Sequence, residues 1–261
     1  MKTNIITKTL GIVAGTSLMF VAGVLPALAT TSVGVSINAN VNVSTKISAA
    51  IARGDKEIDR RITALNALST RIGEMVKLSA SEKTSFQASI TAQVNTLTTL
   101  KAKIDADTDA TVLKTDVKSI TDSYRIFALI LPQGRLMAAA DRASTIASSL
   151  TTISGKLQVR ISDAQTAGNN VSAMQTSLAD MNAKIADANT QATAATNAVI
   201  SLQPDNGNAT VAASNKAALQ ASRADIKTAT SDLTTARNDA QSIIKALEAL
   251  KVDGEATTTV R

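Results

Sequence analysis

The chain has 261 residues, 27 of them basic and 21 acidic, with no histidine and no cysteine. Lacking those two residue types, it has no Ser-His or Cys-based nucleophile pair, no nitrogen or sulfur ligand for zinc, no disulfide and no cysteine-borne lipid. The formal charge of +6 is spread thinly, and with aromatic residues at 2% there is neither a concentrated basic face nor a stacking platform for nucleic acid.

Residues 1–29 read as a secretory signal peptide. Lys2 and Lys8 form a basic start, Leu10 to Leu25 an apolar run, and Ala27-Leu28-Ala29 a small-residue site with cleavage expected after Ala29. The alternative is a retained membrane anchor, but Gly11, Gly15, Thr16, Ser17 and Gly23 interrupt the apolar run. Removing the leader from 261 residues leaves 232, and taking its two lysines from the charge of +6 leaves +4. Localisation is therefore expected to be periplasmic, cell-surface or extracellular.

Residues 30–44 alternate Val33, Val35, Ile37, Ala39, Val41 and Val43 with small and polar residues. Period two fits a strand, yet no second strand is there to pair with it, so an extended or disordered arm fits equally. From about Thr45 the period becomes helical. Ile51, Ile58, Leu65 and Ile72 stand seven apart, with Ile47, Ile62, Leu68 and Val76 in the same stripe. Ser79-Ala80-Ser81-Glu82 has capping-box spacing and predicts the start of a second helix, whose stripe is Phe86, Ile90, Val94, Leu97, Leu100 and Ile104. A third helix carries Leu113, Val117, Ile120, Tyr124, Phe127 and Leu131, with Pro132-Gln133-Gly134 expected to stop it.

The second half uses longer elements. Leu136, Ala143, Leu150, Leu157 and Ala164 recur at sevens before Gly168-Asn169-Asn170, and Met174, Leu178, Met181 and Ile185 open a heptad seam that runs to Leu202. After the turn Pro204-Asp205-Asn206-Gly207, the last helix repeats Leu219, Ile226, Leu233, Ala240 and Leu247. The expected fold class is all-α: elongated antiparallel helical bundles with heptad seams behind a short extended N-terminal arm. They divide into two three-helix units at 45–131 and 135–250, followed by a disordered tail at 251–261.

Two motifs bear on function. Arg53-Gly54-Asp55 resembles an integrin-recognition signal but lies inside a heptad run, where a helix would hold it straight. The stretch Asp105 to Asp116 resembles a calcium-binding EF-hand loop, with Asp105, Asp107, Asp109 and Asp116 at loop positions one, three, five and twelve. It departs from that pattern in Ala110, where the loop needs Gly, and in Asp116, where it needs Glu. The competing reading is a plain helix-to-helix turn with Asp109 as N-cap. More broadly, Arg53 to Ile62 and Lys103 to Arg142 resemble exported long-helix, coiled-coil bundle proteins of small-genome bacteria. That resemblance carries no activity with it.

The sequence thus points to a non-enzymatic exported structural or protein-interaction protein, with a protein partner or self-association, no nucleic acid and no membrane contact after cleavage. A calcium-binding helical protein is the alternative, and no other cofactor is expected. Enzymatic activity is not expected, because a carboxylate-pair hydrolase would still need a cleft beside the narrow Ala and Leu seams.

Overall fold

A computed structural model describes residues 43–122 and 125–258 of the chain. Its contacts divide the chain into Met1–Gly34 and Val35–Arg261, and all the described residues belong to the second unit. The proposed signal peptide and nearly all of the arm lie outside the described residues. Val43 and Ser44, the last two positions expected in the arm, are already helical.

The described chain is all-helical. Its elements are α1 (Val43–Glu74), α2 (Ala80–Ala106), α3 (Ala110–Asp122), a π-helical segment (Ile126–Ile130), α4 (Leu131–Thr166), α5 (Ser172–Val199) and α6 (Ala209–Thr258). α1 buries Ala50, Gly54, Ile58, Arg61, Leu65, Leu68 and Ile72, steps of three and four that keep one face toward its neighbours. α5 buries Met174, Leu178, Met181, Ile185, Ala188, Ala192 and Ala195 in the same rhythm.

The helix ends are set by local chemistry. At α2 the Ser79 hydroxyl accepts from the Glu82 N–H at 3.2 Å while the Glu82 carboxylate accepts from the Ser79 N–H at 2.8 Å, closing the capping box. The Ser79 hydroxyl also donates to the Glu82 carboxylate at 2.6 Å, and this bond, then the one from the Ser79 N–H, holds the Glu82 carboxyl below its usual range. α4 ends in a Schellman turn: Asn169 N–H donates to Ala164 O at 3.1 Å, Gly168 N–H donates to Gln165 O at 2.9 Å, and Gly168 takes φ 89°. Asn208 caps α6 by accepting from the N–H groups of Thr210 and Val211 at 3.0 and 3.1 Å.

Three boundaries differ from the sequence expectation. The third helix ends at Asp122 and not at Leu131. Arg125 then takes a left-handed conformation (φ 43°, ψ 31°), and the chain passes through the π-helical segment straight into α4. Pro132 therefore stands in the first turn of α4, a position that proline tolerates. The proposed division between units at 132–134 thus falls within the start of a helix. At the other end, the backbone of α6 stays helical to Thr258, through most of the stretch 251–261 expected as a disordered tail.

Buried side chains form two clusters. One joins α1, α2, α3 and the π segment to Leu136 and Met137 of α4, Val199 of α5 and Leu219 of α6. The other lies among α4, α5 and α6, from Ala140 to Leu247. α4 belongs to both.

Candidate functional site

The aspartates of 105–116 are distributed among separate tasks. α2 ends at Ala106 and α3 begins at Ala110, so the chain between them is too short for a calcium loop. Ala110 is helical and lacks the positive φ such a loop needs at that position. The Asp109 carboxylate folds onto its own helix, accepting from the N–H groups of Thr111 and Val112 at 2.7 and 2.9 Å. Asp116 sits on α3, 6% exposed, with Oδ1 accepting from Lys103 Nζ at 2.8 Å. Asp105 faces Asp55 of α1. Among the described residues no group of three or more acidic side chains is arranged to hold a metal ion. In this structure Asp109 caps α3, as the turn reading has it, while Asp105 and Asp116 meet groups on neighbouring helices.

What the turn does contain is facing carboxyls. Asp55 meets Asp105, Asp107 meets Asp116, and in the second cluster Asp239 meets Asp180. Asp55 Oδ1, Asp107 Oδ2, Asp116 Oδ2 and Asp239 Oδ2 are closed off from water without a hydrogen-bond donor. Burial, then the facing carboxylate, pushes the carboxyls of Asp55, Asp107 and Asp239 above their ordinary range. Lys101, Lys103 and Lys184 lie beside the three pairs and only partly offset the repulsion.

A pH profile follows from the signs. A raised carboxyl contributes stability that is complete below its unfolded value, about 3.9 for Asp, and that is lost as pH rises through the folded value. Glu82 works oppositely, as does Glu57, where burial raises the carboxyl but bonds from Arg60 and Arg61 lower it further. Their contribution holds above about 4.3 and is lost as pH falls through their folded values. The melting temperature should therefore rise from neutral into mild acid and fall again below about pH 4. Asn at 55, 107 and 239 should raise it at neutral pH and flatten the rise. Circular dichroism melts across this range check both, and a monotonic fall from neutral would contradict the pairing.

The other concentration of buried polar chemistry lies where the two clusters meet, and the sequence gives little sign of it. Arg125 Nε pairs with Asp205 Oδ2 at 3.1 Å, and Asp205 Oδ1 also accepts from the Gly207 N–H at 2.8 Å. Gln133, fully buried, donates from Nε2 to Val199 O at 2.6 Å and to Ile200 O at 3.2 Å. Asn215 Nδ2 donates to Gln203 O at 2.8 Å. Phe127 of the π segment lies under the guanidinium of Arg60, 4.3 Å from its ring centre, with Arg61 at 5.0 Å. Arg53-Gly54-Asp55 is part of α1, and Gly54 is buried where a Cβ would stand 3.5 Å from both Ile104 and Val117.

No family model, curated protein or solved structure matches the chain. No helix among the described residues is long and apolar enough to cross a membrane.

Proposed function

We propose that the protein is an exported, non-enzymatic structural or protein-interaction component of the cell envelope or exterior. In this reading two three-helix units with heptad seams stack end to end as an elongated antiparallel body. The observation that carries it is the pair of abutting apolar clusters linked through α4. Their buried positions recur at three and four residues along α1 and α5, while the outward positions are mainly Ser, Thr, Asn, Asp and Lys. Such a fold puts its sequence into length and packing, which suits a spacer or a docking scaffold. Calcium binding at Asp105, Asp107, Asp109 and Asp116 is the competing proposal.

The exported form is expected to begin at Thr30, which N-terminal sequencing of the secreted or envelope fraction checks. Cross-linking in intact cells should join it to a protein partner or to a second copy. Recovery of an uncleaved form from the cytoplasm, with no cross-linked protein, would overturn the proposal. Millimolar calcium should move the melting temperature no more than magnesium does, and a calcium-specific rise abolished by Asp105→Asn would favour the competing reading.

A further inference from the structure

The connection between α5 and α6 holds Asn206-Gly207, where the chain has its only asparagine followed by glycine. Both residues are exposed, and nothing lies within 4 Å of where a Gly207 Cβ would stand. Asparagine is thermolabile, and most so here, because the glycine nitrogen approaches the Asn206 side chain unhindered by a side chain of its own. In that reaction the Gly207 backbone nitrogen attacks Asn206 Cγ. The N–Cγ bond forms, the Cγ–Nδ2 bond breaks, and the amide group leaves as ammonia with the proton of the attacking N–H. Water then opens the resulting imide ring. Cleavage of the new N–Cγ bond gives aspartate, whereas cleavage of the original C–N bond leaves the main chain running through Cγ as isoaspartate, one methylene longer.

The folded turn opposes the first step. Asn206 takes φ 49° and Gly207 φ 86°, and the Asn208 N–H closes the turn on Asp205 O at 2.8 Å. The Gly207 N–H, which must lose its proton, donates to Asp205 Oδ1 at 2.8 Å. A bond to a carboxylate holds that proton in place, and the same carboxylate repels the negative charge that would develop on the nitrogen. Asp205 is itself fixed, 8% exposed and paired through Oδ2 with Arg125 Nε at 3.1 Å. Attack must therefore wait for the turn to open. The product cannot return to the same turn. Its extra methylene falls between the Asp205 carbonyl and the Asn208 N–H, and Asn208 is the residue that caps α6.

We propose that Asn206 is a site of spontaneous deamidation gated by the Asp205 turn, so that isoaspartate accumulates as a covalent record of how often the turn opens. The test incubates the folded full chain and a synthetic peptide of residues 201–210 in the same neutral buffer. Peptide mapping by mass spectrometry follows conversion at Asn206, and labelling by an isoaspartyl methyltransferase identifies the isomer. Conversion in the folded chain should be slower than in the peptide by about tenfold or more, the worth of one hydrogen bond to a charged acceptor. Asp205→Ala, with its helix content checked by circular dichroism, should bring the rate in the chain up toward that of the peptide. The isoaspartyl chain, separated by ion exchange, should melt below the unmodified chain. Equal rates in the folded chain and the peptide, a folded Asp205→Ala chain that converts no faster than the wild type, or equal melting of the isoaspartyl and unmodified chains would each overturn the proposal.

Discussion

Leu178→Asp should be among the most damaging single substitutions in the chain. Leu178 is 3% exposed in the middle of α5, packed in the cluster shared by α4, α5 and α6. Losing the leucine alone would cost about 2–5 kcal/mol through transfer and the cavity left behind. Aspartate adds a carboxylate that must be buried without a partner or protonated, so the total should reach at least about 4 kcal/mol. At about 2–4 °C per kcal/mol for a chain of this size, the melting temperature should fall by about 10 °C or more. Val159→Asp is the control, since Val159 is 60% exposed on α4 and the change should stay within about 0.5 kcal/mol. Equal melting of the two variants would mean that the α5 stripe is not part of the core.

Much of the helical plan was legible because a helix that buries one face must repeat its apolar residues every three or four positions. Met174 to Ala195 and Leu219 to Leu247 show that repeat, and the structure buries those residues, Ile226 only partly. The capping box at Ser79 and the turns at Gly168 and Asp205 were legible for a related reason: each is closed by hydrogen bonds between groups only a few residues apart. The end of α3 was not. Tyr124 to Leu131 keeps apolar spacing across the break, because a π-helical segment feeding α4 still points Ile126, Leu129 and Ile130 inward. Arginine is no turn signal either. Arg125 holds its left-handed conformation beside an ion pair with Asp205, a residue 80 positions along the chain, which no local pattern records.

The aspartate turn divides along the same line. Asp109 as N-cap is visible in the sequence because it bonds to Thr111 and Val112. The partners of Asp105 and Asp116 are Asp55 on α1 and Lys103 on α2, and only the packing brings them together. Local spacing therefore records the cap but not these partners on other helices. Gln133 was hidden differently: between Pro132 and Gly134 it has the composition of a stop, although Pro132 starts α4 and Gly134 continues it.

Gly134 gives the second large effect, and it tests that reading of α4 directly. A Cβ at this position would stand 2.3 Å from Leu68 Cδ1 and 3.1 Å from Leu68 Cγ, and Leu68 is itself buried in the first cluster. The glycine thus lets α4 sit against Leu68 of α1, and its lack of a side chain serves packing. Gly134→Leu should destabilise by about 3 kcal/mol, because overfilling a packed contact costs about 1–3 kcal/mol and this clash lies at the upper end. Gly134→Ala should cost less, since about 1 kcal/mol of helix propensity is recovered against the clash. Leu68→Ala should suppress the penalty of either substitution, giving a favourable coupling between the two sites in a double-mutant cycle. Gly155 lies in the same helix with nothing within 4 Å of a Cβ, so Gly155→Ala should raise stability by about 1 kcal/mol. Opposite signs at the two glycines, measured by denaturant melts, are the expected result. A stabilising Gly134→Leu would instead place Gly134 in an open turn, as the sequence alone suggests.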